Sequence, residues 1–124
     1  MKILYLPVKS HWFLMEQFGI KNEEYREITP YWVKRIMRNY PVAWRLTMDI
    51  AMETGDFSFF HGKTFGGYTH AELTHGYPRK DDTARRYRVP IREIVIGRGN
   101  PEWGAPDDRD VFIIRLDNKK QESL

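Results

Sequence analysis

The chain has 124 residues, a length that predicts one domain with its own hydrophobic core. Hydrophobic residues make up 41% and charged residues 30%, a balance typical of globular proteins rather than disordered chains. The sequence contains no cysteine, which excludes a disulfide framework and a cysteine metal site and favours a cytoplasmic location. No segment approaches the roughly 20 apolar residues that span a bilayer, so no membrane partner is expected.

Positive charge is unevenly distributed along this chain of net charge +3. Between Glu27 and Asp49 the sequence has basic residues and no acid. A second basic stretch covers residues 79–98, and aromatic residues make up 15% of the chain. Basic residues interleaved with aromatic ones suit phosphate contact and base stacking. The alternative is a solvated charged face over an aromatic core.

The first half of the chain predicts a strand, two short helices and an intervening strand. Residues 2–8 predict a buried strand, and a short helix follows with Ser10 as its N-cap and Gly19 ending it. Residues 23–28 predict a second strand. Thr29 and Pro30 mark a strong helix start, because a hydroxyl N-cap precedes proline at the first helical position.

The second half of the chain predicts mostly strands. Residues 42–53 alternate apolar and polar side chains, which favours a strand over the helix that their composition suits. Further strands are expected at residues 56–60, 69–75, 84–96 and 110–116, with Pro90 marking an edge or a bulge. Many short strands and two early helices predict an α+β barrel.

A short motif connects this pattern to a known family. Residues 19–26 read GIKNEEYR and match the spacing G-x-K-x-x-E-x-R through Gly19, Lys21, Glu24 and Arg26. A strand and a helix precede the motif, and the later segments 75–86 and 96–104 follow in order. In these features the chain resembles small bacterial and phage members of the ASCH domain family. The resemblance covers roughly residues 1–40 and 69–117.

The resemblance implies a mixed β-barrel of the PUA-like kind with two short N-terminal helices. Residues 1–117 are then one ASCH-like domain, residues 41–68 an insertion within it, and residues 118–124 a polar C-terminal tail. Relatives of the family include predicted RNA binders, an amidohydrolase acting on N(4)-acetylated cytidine, and a ribonuclease. In the amidohydrolase a lysine at the position of Lys21 is catalytic, whereas a threonine stands where this chain has Glu24.

The motif residues allow two kinds of chemistry. Lys21 beside Glu24 can anchor a phosphate as a point charge, or act as nucleophile or base while the carboxylate moves a proton. The alternative is a salt-bridge network in which Glu24 pairs with Lys21 or Arg26. Lys21 and Glu24 are therefore the candidate catalytic residues, and Arg26 is a candidate binding residue.

Further candidates for binding are aromatic and basic residues later in the chain. Arg86, Arg88 and Arg92 are separated by even steps and predict one basic stripe along a strand, provided that no bulge intervenes near Pro90. Guanidinium groups and aromatic rings suit phosphates and bases. The remaining candidates are Trp32, Tyr77, Arg85, Glu102 and Trp103, although Trp103 also suits a cap on the barrel core.

These residues predict a domain that binds RNA or a nucleotide-like ligand. The alternative is a small hydrolase that acts on an N4-acylated cytidine-type nucleoside or on RNA through Lys21 and Glu24. A third reading is a protein-interaction domain, which an exposed apolar surface within residues 42–60 favours. No cofactor or metal is expected, since His70 and His75 are five positions apart and face opposite sides of a strand. The oligomeric state stays open.

Overall fold

The computed structural model describes residues 1–120 and 122–123 and has a mixed α+β fold, as the sequence predicts. The helices are α1 (Ser10–Gln17), α2 (Pro30–Ile36) and α3 (Val42–Thr54). The strands are β1 (Ile3–Val8), β2 (Glu23–Arg26), β3 (His70–His75), β4 (Arg86–Gly97), β5 (Val111–Leu116) and β6 (Glu122–Ser123). Within the predicted tail, β6 pairs with β4, whereas residues 121 and 124 lie outside the described part.

The strands are hydrogen-bonded in the order β1-β3-β4-β5-β2, with β6 paired to β4 off this path. Strand β1 runs parallel to β3, with Ile3 opposite His70 and Val8 opposite His75. Strand β3 runs antiparallel to β4. The prediction of an edge strand around Pro90 is wrong, because β4 lies between β3 and β5.

Strand β4 changes its inward face near Pro90. Tyr87 and Val89 are buried in its first half, and Ile94 and Ile96 are buried in its second half. Because side chains alternate along a strand, this switch from odd to even positions indicates a bulge between them. The sequence allowed either an edge strand or a bulge at Pro90, and the structure favours the bulge.

The contacts divide the chain into two compact units, each with its own buried core. The first consists of Met1–Glu24, Gly67–Glu93 and Ile114–Leu124, and the second of Tyr25–Gly66 and Ile94–Ile113. In the first unit the buried apolar side chains are Leu4, Leu6, Val8, Phe13, Ala71, Leu73, Tyr87, Val89, Ile114 and Leu116. In the second they include Ile36, Met37, Met48, Ala51, Phe60, Phe65, Ile94, Ile96, Val111, Phe112 and Ile113.

The two early helices begin differently. The Thr29 side chain accepts a hydrogen bond from the Trp32 N–H at 3.4 Å, and Pro30 opens α2, which confirms the predicted start. The predicted N-cap of α1 is wrong, because Lys9 occupies that position without a side-chain cap. Ser10 lies inside the helix, and its hydroxyl contacts the His75 ring instead.

The strand predicted at residues 42–53 is wrong, because these residues form α3. Met48 and Ala51, three positions apart, are buried on one side of this helix. Gly55 ends the helix with a φ of 78°, and its N–H donates to the Ala51 carbonyl at 2.8 Å. Helix propensity therefore outweighs the alternating pattern here.

The strand predicted at residues 56–60 is also wrong, because Ser58–Phe60 is a single 3-10 turn. This turn places Phe60 in an aromatic cluster of the second unit. The centre of the Phe60 ring lies 5.9 Å from that of Trp44 and 6.0 Å from that of Phe65. The Phe65 and Phe112 rings meet edge-on, with their centres 5.8 Å apart. Edge-to-face aromatic packing of this kind adds to the burial of the rings themselves.

Gly99 permits close packing at the Tyr25 ring. A Cβ atom at Gly99 would lie 2.6 Å from a Tyr25 ring carbon and 2.6 Å from the Ala105 Cβ. We expect Gly99→Ala to lower the free energy of unfolding by about 1–3 kcal/mol, since overpacking forces neighbours out of place. Chemical denaturation measures this change. Gly66→Ala is the matched control, because a Cβ there meets nothing within 4 Å. Equal stability of the two variants would contradict the prediction.

Candidate functional site

The Lys21 side chain is fully buried in the first unit, between two glutamates. The turn after α1 includes Gly19, with a φ of 75°, and the Lys21 N–H donates back to the Met15 carbonyl of that helix at 3.2 Å. The Lys21 Nζ donates to the Glu16 Oε1 at 3.0 Å and also contacts the Glu24 carboxylate and the Glu23 carbonyl oxygen. Glu16 and Glu24 are themselves buried. The result is an enclosed cluster of one ammonium and two carboxyl groups.

The Lys21 ammonium also faces an aromatic ring. Its Nζ lies 5.5 Å from the centre of the half-buried Trp12 ring. A cation over an aromatic face is attracted by the electron density of that face, more strongly where water is excluded. Trp12, from α1, therefore covers the cluster on one side.

Burial controls the charge of Glu16. Desolvation, reinforced by the neighbouring Glu24 carboxylate, raises the pKa of Glu16 to about 10, although Lys21 acts in the opposite direction. At neutral pH Glu16 is therefore protonated, and one carboxylate remains to balance the Lys21 ammonium. Burial, with the two glutamates, also raises the pKa of the Tyr87 hydroxyl above its ordinary value. Glu16 Oε2 and the Tyr87 hydroxyl are buried without a hydrogen-bond partner among the described residues.

This cluster brings together both candidate catalytic residues. It is the salt-bridge arrangement that the motif spacing allowed, with Glu16 as an additional member. Because its Nζ is enclosed, Lys21 offers no surface to a phosphate in this structure. A proton held on Glu16 beside an ammonium and a carboxylate is nonetheless the kind of arrangement that general acid–base chemistry uses.

Arg26 and Trp32 come together in the second unit. The Arg26 guanidinium lies 5.3 Å from the centre of the Trp32 ring, and its Nη1 donates to the Tyr25 carbonyl at 2.8 Å. Trp32 in turn meets Tyr31 edge-on. These two candidates for binding form a stacked pair of guanidinium and indole on β2 and α2.

The arginines predicted to bind backbone phosphates are engaged in ion pairs. Arg86 and Arg88 both contact the buried carboxylate of Glu72, at 3.3 Å and 3.2 Å. Arg85 pairs with Asp82 at 3.4 Å. The bulge in β4 also breaks the predicted alignment of Arg92 with Arg86 and Arg88. The predicted stripe is thus partly neutralised and does not continue along one face.

The remaining candidates lie on loops. Tyr77 is 92% exposed in the turn after β3. In the second unit, Glu102 is exposed and Trp103 half-buried on the 3-10 turn Pro101–Trp103, where the Asn100 side chain accepts from the Glu102 N–H at 3.0 Å. Among the residues described, Tyr77 has no hydrogen bond or ring contact with Lys21 or with the arginines of β4.

A polar pocket of about 520 Å³ opens in the first unit close to the buried cluster. Its lining includes two asparagine side chains, two cations and an exposed ring. Asn118 connects it to the cluster, because its side-chain N–H donates to the Lys21 carbonyl at 2.5 Å. The lining residues are Gln17, Phe18, Gly19, Asn22, Arg92, Leu116, Asp117, Asn118 and Lys119.

The two cations of this pocket are available for a ligand. Arg92 and Lys119 are both exposed, and neither has an ion-pair or hydrogen-bond partner among residues 1–120 and 122–123. Phe18, on the rim, is 75% exposed. The sequence interpretation named neither residue as a binding residue. Lys119 is distant in the chain from the motif, and Phe18, directly before Gly19, has the spacing of an ordinary apolar helix residue.

Glu16 is the other residue that the sequence interpretation missed. It lies three positions after Phe13 on the buried face of α1, where a carboxylate is unexpected. An acid on an apolar helix face, five residues before the motif lysine, is a signal from which it could have been found.

No protein-family model, curated protein or solved structure matches this chain. The resemblance to ASCH domains therefore rests on the motif and on the sequence segments around it, and it stays a prediction. No helix in the described part is long and apolar enough to cross a membrane. Among the same residues, no group of three or more histidine, cysteine or acidic side chains could hold a metal ion.

Proposed function

We propose that this chain is a PUA-like domain of the ASCH type that binds single-stranded RNA or a nucleotide-like ligand in the polar pocket. The observation that carries the proposal is the pair of free cations, Arg92 and Lys119, in a pocket that also presents two asparagines. Its volume of about 520 Å³ lies within the range of about 300–1,000 Å³ typical of small-molecule sites.

Each part of the pocket suits one part of a nucleotide. Arg92 and Lys119 suit a phosphate, and unpaired cations keep their full charge for it. The side-chain amide of Asn22 carries a donor and an acceptor of the kind that hydrogen-bond base edges, whereas the Asn118 amide already donates to the Lys21 carbonyl. The exposed Phe18 ring offers a stacking surface, as single-stranded RNA requires. Arg85, Arg86 and Arg88 suit this role less well, because each already pairs with a carboxylate, which Arg86 and Arg88 share.

We expect Arg92→Glu to weaken binding of a single-stranded RNA of about 12 nucleotides by about tenfold or more, since a hydrogen bond to a charged group contributes roughly 1.5–3 kcal/mol. Phe18→Ala should weaken binding by a similar factor, because stacking of one base contributes about 1–3 kcal/mol. Fluorescence anisotropy with end-labelled RNA measures both.

Two controls sharpen this experiment. Lys80→Glu changes an exposed lysine outside the pocket by the same charge and should have a smaller effect. Arg85→Gln removes a cation that the sequence predicted to bind RNA but that pairs with Asp82. If Arg85→Gln weakens binding while Arg92→Glu does not, the site lies along β4 rather than in the pocket.

A second candidate function is hydrolysis of an N4-acylated cytidine-type nucleoside or of RNA. The observation in its favour is the protonated Glu16 beside Lys21 and Glu24. Substrate would have to displace Trp12 to reach the ammonium, which makes this the weaker of the two candidates. Mass analysis of acylated cytidine and RNA after incubation tests it. Product that vanishes in a Glu24→Gln variant shown by circular dichroism to be folded supports catalysis, and absence of product from the unmodified chain rules it out for these substrates.

A further inference from the structure

Helices α2 and α3 of the second unit form an open groove of about 520 Å³ with an aliphatic floor. The floor consists of apolar side chains from both helices: Val33, Met37, Val42, Leu46 and Met52. Pro30, three basic residues and one acid complete the lining. The groove is separate from the polar pocket, since the two share no residue.

Helix α3 is apolar on two sides, and one of them faces solvent. Its buried side holds Met48 and Ala51. On another side Val42, Leu46 and Ile50, four positions apart, are 60%, 58% and 61% exposed. A helix that packs on one side only normally presents polar residues to water. A row of exposed aliphatic side chains instead marks a surface for another molecule.

The basic rim of the groove indicates what that molecule is. Lys34, Arg38 and Arg45 are exposed, and none of the three has an ion-pair or hydrogen-bond partner within the described part of the chain. Asp49 is the one acid in the lining, so the groove has an excess of two positive charges. Charge complementarity therefore calls for an acidic partner.

The aliphatic floor of the groove favours a protein partner over a nucleic acid. Nucleobases stack on aromatic rings, and the lining contains none. Aliphatic floors between two helices accept the apolar face of a third helix, whose anchors repeat every three or four residues. Acidic residues on the flanks of such a helix would meet Lys34, Arg38 and Arg45.

We propose that the groove between α2 and α3 docks an acidic amphipathic helix of a partner protein. Apolar side chains of that helix fill the floor between Val33, Met37 and Leu46, and its carboxylates pair with the rim. This interaction is independent of ligand binding in the polar pocket, so either proposal can fail without the other.

A synthetic helix tests this proposal with the full-length chain. The probe is a peptide of about 18 residues, or five helical turns, with leucine every three or four positions and glutamate elsewhere. We expect binding that Leu46→Glu weakens by about tenfold or more, because a charge replaces a central apolar contact. Leu14→Glu is the matched control, since Leu14 is an exposed leucine on another helix, α1, and does not line the groove. Circular dichroism checks that both variants stay folded.

Changes to the peptide separate the alternatives. A peptide of the same composition with scattered leucines should not bind, and one with lysine in place of glutamate should bind more weakly. Equal binding of all three peptides, or equal loss in Leu46→Glu and Leu14→Glu, would overturn the proposal. Self-association of the chain that Leu46→Glu abolishes would also overturn it, because a second copy would then occupy the groove.

Discussion

Replacing Lys21 by methionine is expected to lower the free energy of unfolding by about 3–5 kcal/mol, because removal of one partner leaves a buried charge uncompensated. In this chain the unpaired group is the Glu24 carboxylate, which is buried and contacts the Lys21 ammonium. Methionine keeps the length of the side chain, so the cavity contribution stays small. Urea denaturation followed by circular dichroism measures the change.

A double variant separates loss of charge from loss of shape. In Lys21→Met combined with Glu24→Gln, neither charge remains, so most of the lost stability should return. Lys80→Met controls for the loss of a lysine in general, and as an exposed change it should shift stability by about 0.5 kcal/mol or less. If the double variant is as unstable as the sum of its single changes, the ion pair does not account for the effect.

Glu16→Gln is expected to flatten the dependence of stability on pH. The pKa of Glu16 rises from 4.5 to about 10 on folding, so the folded state holds a proton that the unfolded state releases above its lower pKa. The stability from this proton is complete below about pH 4.5 and is lost as pH rises toward about 10. One such proton changes the free energy of unfolding by up to about 1.4 kcal/mol per pH unit.

Denaturation curves between pH 5 and 9, values chosen to lie between the two pKa values, measure this slope. Glutamine mimics the protonated carboxyl, so the variant should gain stability relative to the unmodified chain as pH rises. Glu53→Gln, an exposed change on α3, should leave the slope as it is. A variant at Glu16 whose curve runs parallel to that of the unmodified chain would show that this carboxyl is ionised in the folded state.

The sequence correctly predicted the elements in which hydrophobic periodicity and the turn or cap residues indicate the same secondary structure. Strands β1, β3, β4 and β5 and the start of α2 all lie where β-branched residues, turn residues or the Thr29-Pro30 pair placed them. Helix α3 was mistaken for a strand because apolar residues occur on two of its sides. The exposed Val42, Leu46 and Ile50, added to the inner Met48, produce the alternation typical of a strand. The wrong prediction thus arose from apolar residues whose exposure is not explained by packing within the chain.

The candidate site was predictable only where its residues are close in the sequence. Lys21 and Glu24 belong to one motif, and the structure brings them into contact. Glu16 lies three positions before the motif, so its contact with Lys21 is not part of the motif spacing. The polar pocket combines α1, β4 and the segment after β5, and no local pattern relates residues 18, 92 and 119. The pairing of Arg86 and Arg88 with Glu72 likewise depends on strand register, which the sequence does not give.

The salt dependence of RNA binding shows whether the cations of the polar pocket contact phosphates. For single strands the logarithm of the binding constant falls with the logarithm of salt concentration by about 0.7 for each phosphate neutralised. We expect the unmodified chain to bind single-stranded RNA at low salt. Arg92→Gln combined with Lys119→Gln should make the slope of this salt dependence shallower by about 1.4. An unchanged slope, or no binding by the unmodified chain at low salt, would contradict the assignment of the polar pocket as an RNA site.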